Sequence, residues 1–215
     1  MGYGPRPGDV QRVRQMGIDK YIDQQLHPGS MDDSETEARL SGLSSLRMDI
    51  AEIYEKYPQP NKVAQGLGLR GKGQAGSQAD SAGAEQETKE ARQRVRAYYV
   101  EHGLQPPQRL LQELQAQKLI RAVHSEQQLQ EVMTDFWFNH FNVFWGKGAD
   151  RWLAKDFEMD AIRPHALGKF RDLLLATARS PAMLFYLDNY LSVSPDAKRP
   201  GGRRNRQAPS NPQQK

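Results

Sequence analysis

Apolar residues recur three and four positions apart in one short segment after another, and nowhere do they alternate in the strand pattern. Each segment is closed by a glycine, a proline or a capping residue. Ile18, Tyr21, Ile22 and Leu26 share one face before His27-Pro28-Gly29 stops it. Asp9 opens a helix carrying Val10, Val13 and Met16, ended by Gly17, and DSETEARL, residues 33–40, repeats the pattern weakly. Asp49 caps Ile50, Ile53, Tyr54 and Tyr57, which run to Pro58. Such punctuation predicts an all-α fold, an irregular multi-helix bundle.

The later segments are more apolar. Pro106-Pro107 opens a helix with Leu110, Leu111, Leu114, Leu119 and Val123 as its apolar face. Ser125-Glu126-Gln127-Gln128 reads as a capping box, which sets the start of the next helix. On that helix Leu129, Val132, Met133, Phe136, Trp137, His140 and Phe144 fall on one broad face, with Gly146 and Gly148 turning the chain out. A helix over 154–163 follows. Pro164 suits the first turn of another, with Ala166, Leu167, Phe170, Leu173, Leu174 and Thr177 as its buried stripe. Ser180-Pro181 caps and opens a last one.

Two stretches break the pattern. Residues 58–84, with QGLGLRGKGQAGSQADSAGA inside them, hold too little apolar surface to offset chain entropy and are expected to be a flexible loop within a helical domain of 1–191. Residues 192–215 are expected to be a disordered tail. The net charge of +4 belongs to that end: Lys198, Arg199, Arg203, Arg204, Arg206 and Lys215 face only Asp196, so residues 1–190 sit at −1. KRPGGRRNR could bind a polyanion by releasing counterions, but no aromatic ring is interleaved to stack on bases, and a nucleic-acid partner is not expected. No run of apolar residues is long enough to cross a bilayer. MGYGPRPGDV has no apolar region of the secretion-signal kind.

Chemistry-bearing motifs are few. The chain has no cysteine, which removes disulfides, thiolate metal sites and cysteine nucleophiles. GLGLRGKG has the glycines of a phosphate-binding loop without its GK[ST] ending or a preceding strand, and no G-x-S-x-G elbow occurs. What remains is FWFNHFNVFWGKG, residues 136–148, where Asn139, His140 and Asn142 stand among six aromatic rings. His140 lies four residues from Phe136 and from Phe144, a spacing that suits a packed core histidine as well as a ligand. Glu158 and His165 are seven residues apart, and Asp188 ends the last helix. Two imidazoles and one or two carboxylates on adjacent helices can assemble a metal or acid–base site, and imidazole with carboxylate does not choose the metal. His140, His165, Glu158, Asp188, Asn139 and Asn142 are the candidate site residues. No cofactor is indicated. The alternatives are a structural or interaction module with core histidines, and a binder of nucleic acid or anionic polymer through the basic tail.

Three stretches, GYGPRPGDVQRVRQMGIDKYIDQQLHP, MTDFWFNHFNVFWGKG and RPHALGKFRDLLLATARSPAMLFYLDN, resemble in order the bacterial family catalogued as domain of unknown function 1800. The resemblance covers most of residues 2–191. It implies a mostly helical protein, often exported or periplasmic, with no settled activity. It also implies longer chains that resume, after a variable loop, in a segment ending in histidine. On that expectation this chain is an N-terminal portion whose partner is the missing C-terminal half. Rings on several sides of the 136–145 segment then predict an exposed apolar patch there.

Overall fold

The computed structural model describes residues 2–69 and 81–194, and among them there are eleven α-helices and no strand. They are α1 (Asp9–Met16), α2 (Ile18–Leu26), α3 (Ser34–Leu40), α4 (Ile50–Lys56), α5 (Pro60–Gly66), α6 (Ser81–Glu101), α7 (Gln108–His124), α8 (Gln128–His140), α9 (Asp150–Asp156), α10 (Phe170–Arg179) and α11 (Pro181–Tyr186). Among the described residues no helix is long and apolar enough to cross a membrane. The stretch 58–84, expected to be a loop, contains α5 and the first residues of α6. Its remainder from 70 to 80, and the tail beyond 194, lie outside the described residues.

Caps decide where several helices begin. Asp49 accepts from the amide of Glu52 at 2.9 Å while the Glu52 carboxylate accepts from the amide of Asp49, so α4 opens on a full capping box. Ser180 Oγ accepts from the amide of Met183, and Pro181 occupies the first turn of α11. The box expected at Ser125 does not form. Its hydroxyl donates to Asp33 Oδ2 at 2.9 Å and accepts from the amide of Gln127, and α8 starts only at Gln128. The free amides there are met from far along the chain: Glu126 N donates to Asp33 Oδ1 and Leu129 N to Gln25 Oε1, each at 2.9 Å.

The helix expected over 154–163 is also rearranged. α9 ends at Asp156, a wider π-helical turn runs Phe157–Ile162, and a tighter 3₁₀ turn follows at Arg163–His165. Pro164 lies in that tight turn, and α10 begins only at Phe170. The extra residue per turn at 157–162 points Phe157, Glu158, Ala161 and Ile162 all inward.

Two apolar cores flank this segment. One joins Val143, Phe157, Ala161, Ile162, Leu173 and Ala182, with Trp137, Phe138 and Phe141 packed against it. The other joins Ile53, Tyr57, Leu110 and Trp152. α9 serves both, because Trp152 reaches one and Leu153 the other. The Trp152 indole donates to the Tyr57 carbonyl at 2.9 Å, and its ring stacks on Tyr54. α5 and α6 pack on each other as a hairpin; the Tyr99 hydroxyl donates to the Pro58 carbonyl and the Gln105 amide to that of Lys56 at its base.

The buried faces of α7 and α8 differ from the apolar stripes. On α7, Glu113, Gln117 and Arg121 are buried beside Leu110 and Leu114, whereas Leu119 and Val123 are exposed. On α8, Leu129, Glu131 and Thr134 are buried while Phe136 and His140 face outward. On the α10 stripe, Leu173 and Thr177 are buried, but Phe170 and Leu174 are exposed. Polar residues displaced apolar ones because α7, α8 and the π turn meet around an ionic centre.

Candidate functional site

That centre is built from one stripe of α7, one of α8, Glu158 of the π turn and Arg163 of the 3₁₀ turn that follows it. Arg163 grips Glu131 with two parallel bonds, Nη1 to Oε1 and Nη2 to Oε2, both 2.7 Å. This fork-to-fork geometry is the strong form of the pair, and Glu131 is buried. Arg121 donates to Glu37 Oε1 at 2.8 Å and lies 3.8 Å from Glu131 and 4.0 Å from Asp33. Burial works against the charge on Arg163, but its bonds to Glu131 outweigh it and raise the guanidinium's proton affinity.

Glu158 lies deepest, about 1% exposed, so its charge state is set almost wholly by protein groups. Gln117 Nε2 donates to its Oε1 at 2.8 Å. Lys118 Nζ stands 3.3 Å from Oε2, 3.0 Å from Asp135 Oδ1 and 4.1 Å above the Phe138 ring. Burial pushes the Glu158 carboxyl up, with Lys118 and Arg163 pulling the other way. Tyr3 closes the outer side, its hydroxyl donating to the Glu131 carbonyl at 3.4 Å. Burial, then the charges of Asp135, Glu131 and Glu158, push that phenol up to about 12.

The six candidate residues are dispersed. His140 ends α8 on the surface, stacked on Phe136 at 6.0 Å and edge-on to Trp137 at 5.6 Å and Phe141 at 5.0 Å. His165 is half-buried at the end of the 3₁₀ turn. Asn139 donates to the Asp135 carbonyl of its own helix at 2.7 Å, and Asn142 is exposed just beyond it. Asp188 is exposed in a left-handed conformation and pairs with Lys147 at 2.9 Å. Glu158 alone belongs to the buried centre. Among the described residues no three His, Cys, Asp or Glu side chains are grouped to hold a metal ion.

His140 instead belongs to a surface of rings. Trp137 packs against Phe136 at 4.8 Å, Phe170 at 5.7 Å and Phe141 at 5.9 Å. Phe136 and Phe170 are 52% and 54% exposed, so the cluster opens to solvent on their side, while Trp137 and Phe141 back onto the core. The Trp137 indole donates to the Ala166 carbonyl at 3.1 Å, which locks the middle ring. Phe144, also exposed, folds back on Gly146, where a Cβ would fall 2.5 Å from its ring. The expected patch is therefore present, and Phe170 from α10 extends it.

Sequence reasoning missed Gln117, Lys118, Arg121, Glu131 and Arg163. One signal was available: Glu113, Gln117 and Arg121 recur every four residues, as a buried stripe does. Nothing local marks Glu131 and Arg163 as partners across 32 positions.

Comparison with known proteins gives one finding. The family described as "Protein of unknown function (DUF1800)" matches residues 1–205 of the chain. No curated protein and no solved structure matches it.

Proposed function

The chain belongs to the DUF1800 family, and from that premise we propose that it is a docking module, which binds another polypeptide through the ring surface of α8 and α10. The observation that carries the reading is the contiguous set Phe136, Trp137, His140, Phe141 and Phe170, with its two outermost phenylalanines more than half exposed. Aromatic rings of this kind supply the anchors of protein interfaces, since they bury large areas at little cost in side-chain entropy. The locked indole of Trp137 gives the surface a fixed shape before any partner arrives. Exposed Lys169, Arg171 and Asp172 beside Phe170 supply a charged rim. The expectation that the protein works after export comes from the family resemblance, and cell fractionation tests it separately.

The test places a photo-crosslinking phenylalanine analogue at position 136 in the producing cell. One discrete crosslinked polypeptide, identified by mass spectrometry and lost in Phe170→Glu, is the expected outcome. The same analogue at Val100, which is 77% exposed on α6, is the control. Identical products from both positions, or none from position 136, defeat the reading.

A further inference from the structure

Glu158 faces ionisable and polar groups from four elements. α7 presents Gln117, Lys118 and Arg121, α8 presents Glu131 and Asp135, the 3₁₀ turn presents Arg163, and the N-terminal segment presents Tyr3. Each cation has a nearer carboxylate: Lys118 lies 3.0 Å from Asp135, Arg163 2.7 Å from both oxygens of Glu131, and Arg121 2.8 Å from Glu37. An ionised Glu158 would be a charge in excess.

The hydrogen bonds bear on the same pair. Gln117 Nε2 donates to Glu158 Oε1, and each partner keeps one buried oxygen without a hydrogen bond, Gln117 Oε1 and Glu158 Oε2, the latter 3.3 Å from Lys118 Nζ. Both are acceptors when the carboxyl is ionised. An amide that donates through the hydrogen on the side of its own oxygen brings that oxygen alongside the other carboxyl oxygen. A proton on Oε2 would then let it donate to Gln117 Oε1, satisfying both orphaned atoms with one hydrogen.

We propose that Glu158 is a neutral acid paired with Gln117 in the folded protein, and that the pair is a proton-sensitive latch on the ring surface. When the O–H bond breaks and the proton leaves to solvent, the Glu158 carboxylate competes with Glu131 for Arg163, whose Nη2 already stands 3.9 Å from Glu158 Oε1. Arg163 belongs to the turn that holds α8 from outside. Its carbonyl accepts from Gln130 Nε2 at 3.2 Å, and three residues on the Ala166 carbonyl accepts from the Trp137 indole at 3.1 Å. Drawing Arg163 inward slackens that turn and frees the indole. The proposal takes its consequence from the docking reading above, but its test does not depend on that reading.

The measurement is deuterium exchange at the Trp137 indole N–H against pH, expressed as protection over free exchange. Asp150→Asn is the background, because the Asp150 carboxyl is also pushed up, to about 6. The folded-state proton affinity of Glu158 is raised, so the latched form holds at low pH and is lost as pH rises through the folded value. Protection should fall about tenfold over that rise and stay at its low-pH level in Glu158→Gln, which keeps both hydrogen bonds without a titrating proton. The protein with Glu158 intact should also show an infrared carbonyl stretch of a buried carboxylic acid that Glu158→Gln removes. An equal fall in Glu158→Gln, no fall with Glu158 intact, or no such stretch overturns the latch. Loss of crosslinking from position 136 with these results intact would remove the docking reading alone.

Discussion

Asp150 is fully buried in the first turn of α9, and neither carboxylate oxygen has a hydrogen-bond partner. Burial pushes its carboxyl up to about 6, with Lys147 pulling down and Asp188 pushing up. Its ordinary value is 3.8, so the folded state binds the proton more tightly than the unfolded state. The associated stability is present below that ordinary value and is lost as pH rises through about 6. Asp150→Asn should therefore raise stability at pH 8 by on the order of 2 kcal/mol and flatten the slope between about pH 4 and 6, measured by urea unfolding across pH. Arg163 is the opposite case. Arg163→Leu removes both hydrogen bonds of the buried Glu131 carboxylate, leaving it only Arg121 at 3.8 Å, and should cost roughly 3–5 kcal/mol in the same measurement. Neither role is visible in the linear pattern, where Asp150 looks like a helix-opening acid and Arg163 like a solvated base before Pro164.

Among the elements, α4 and α8 show two ways of starting a helix. Asp49 and Glu52 cap α4 from within three residues, so the motif is legible in the sequence. α8 is capped by Asp33 and Gln25, about a hundred residues away, which no local motif can announce. Asp49→Ala should cost about 1 kcal/mol and quicken amide exchange at the start of α4 alone. Asp33→Ala should cost about 2 kcal/mol, since it also orphans the buried Ser125 hydroxyl and removes a neighbour of Arg121. Its exchange signature should appear at the start of α8 and in α3 together. Equal and local effects from both changes would show that the distant cap contributes nothing special.

For the whole molecule, the α5–α6 hairpin and the two cores should differ in cooperativity. Gln86, Glu87, Lys89, Glu90, Arg92, Gln93 and Arg94 of α6 are all exposed, and the described polar ties of the hairpin to the body are at its base. Regions with few buried apolar contacts open at low free energy. Backbone amides of 86–95 should exchange at least about a hundredfold faster than those of α7 and of the Phe157–Ile162 turn, by mass spectrometry. Uniform protection would show that the hairpin is held along its length. Phe157→Ala, in the core that joins α8, α10 and α11, should instead lower global stability by about 3–5 kcal/mol.

The helical class and the starts of α4 and α11 were legible in the linear chain, because helix periodicity and adjacent caps are properties of residues close together in it. Which face of α7 and α8 turns inward was settled only by folding. Periodicity places side chains on a common stripe but cannot tell an apolar stripe that is buried from one displaced by polar residues whose partners lie on other helices. Glu131, Gln117 and Glu158 are inside because Arg163, Lys118 and Arg121 reach them there, and Leu119 and Phe136 are outside as a result. His140, the residue that most invited a chemical role, ended among rings at the surface, because α8 stops at that residue and places it beside exposed Phe136, while Phe138 of the same turn faces inward onto Phe157.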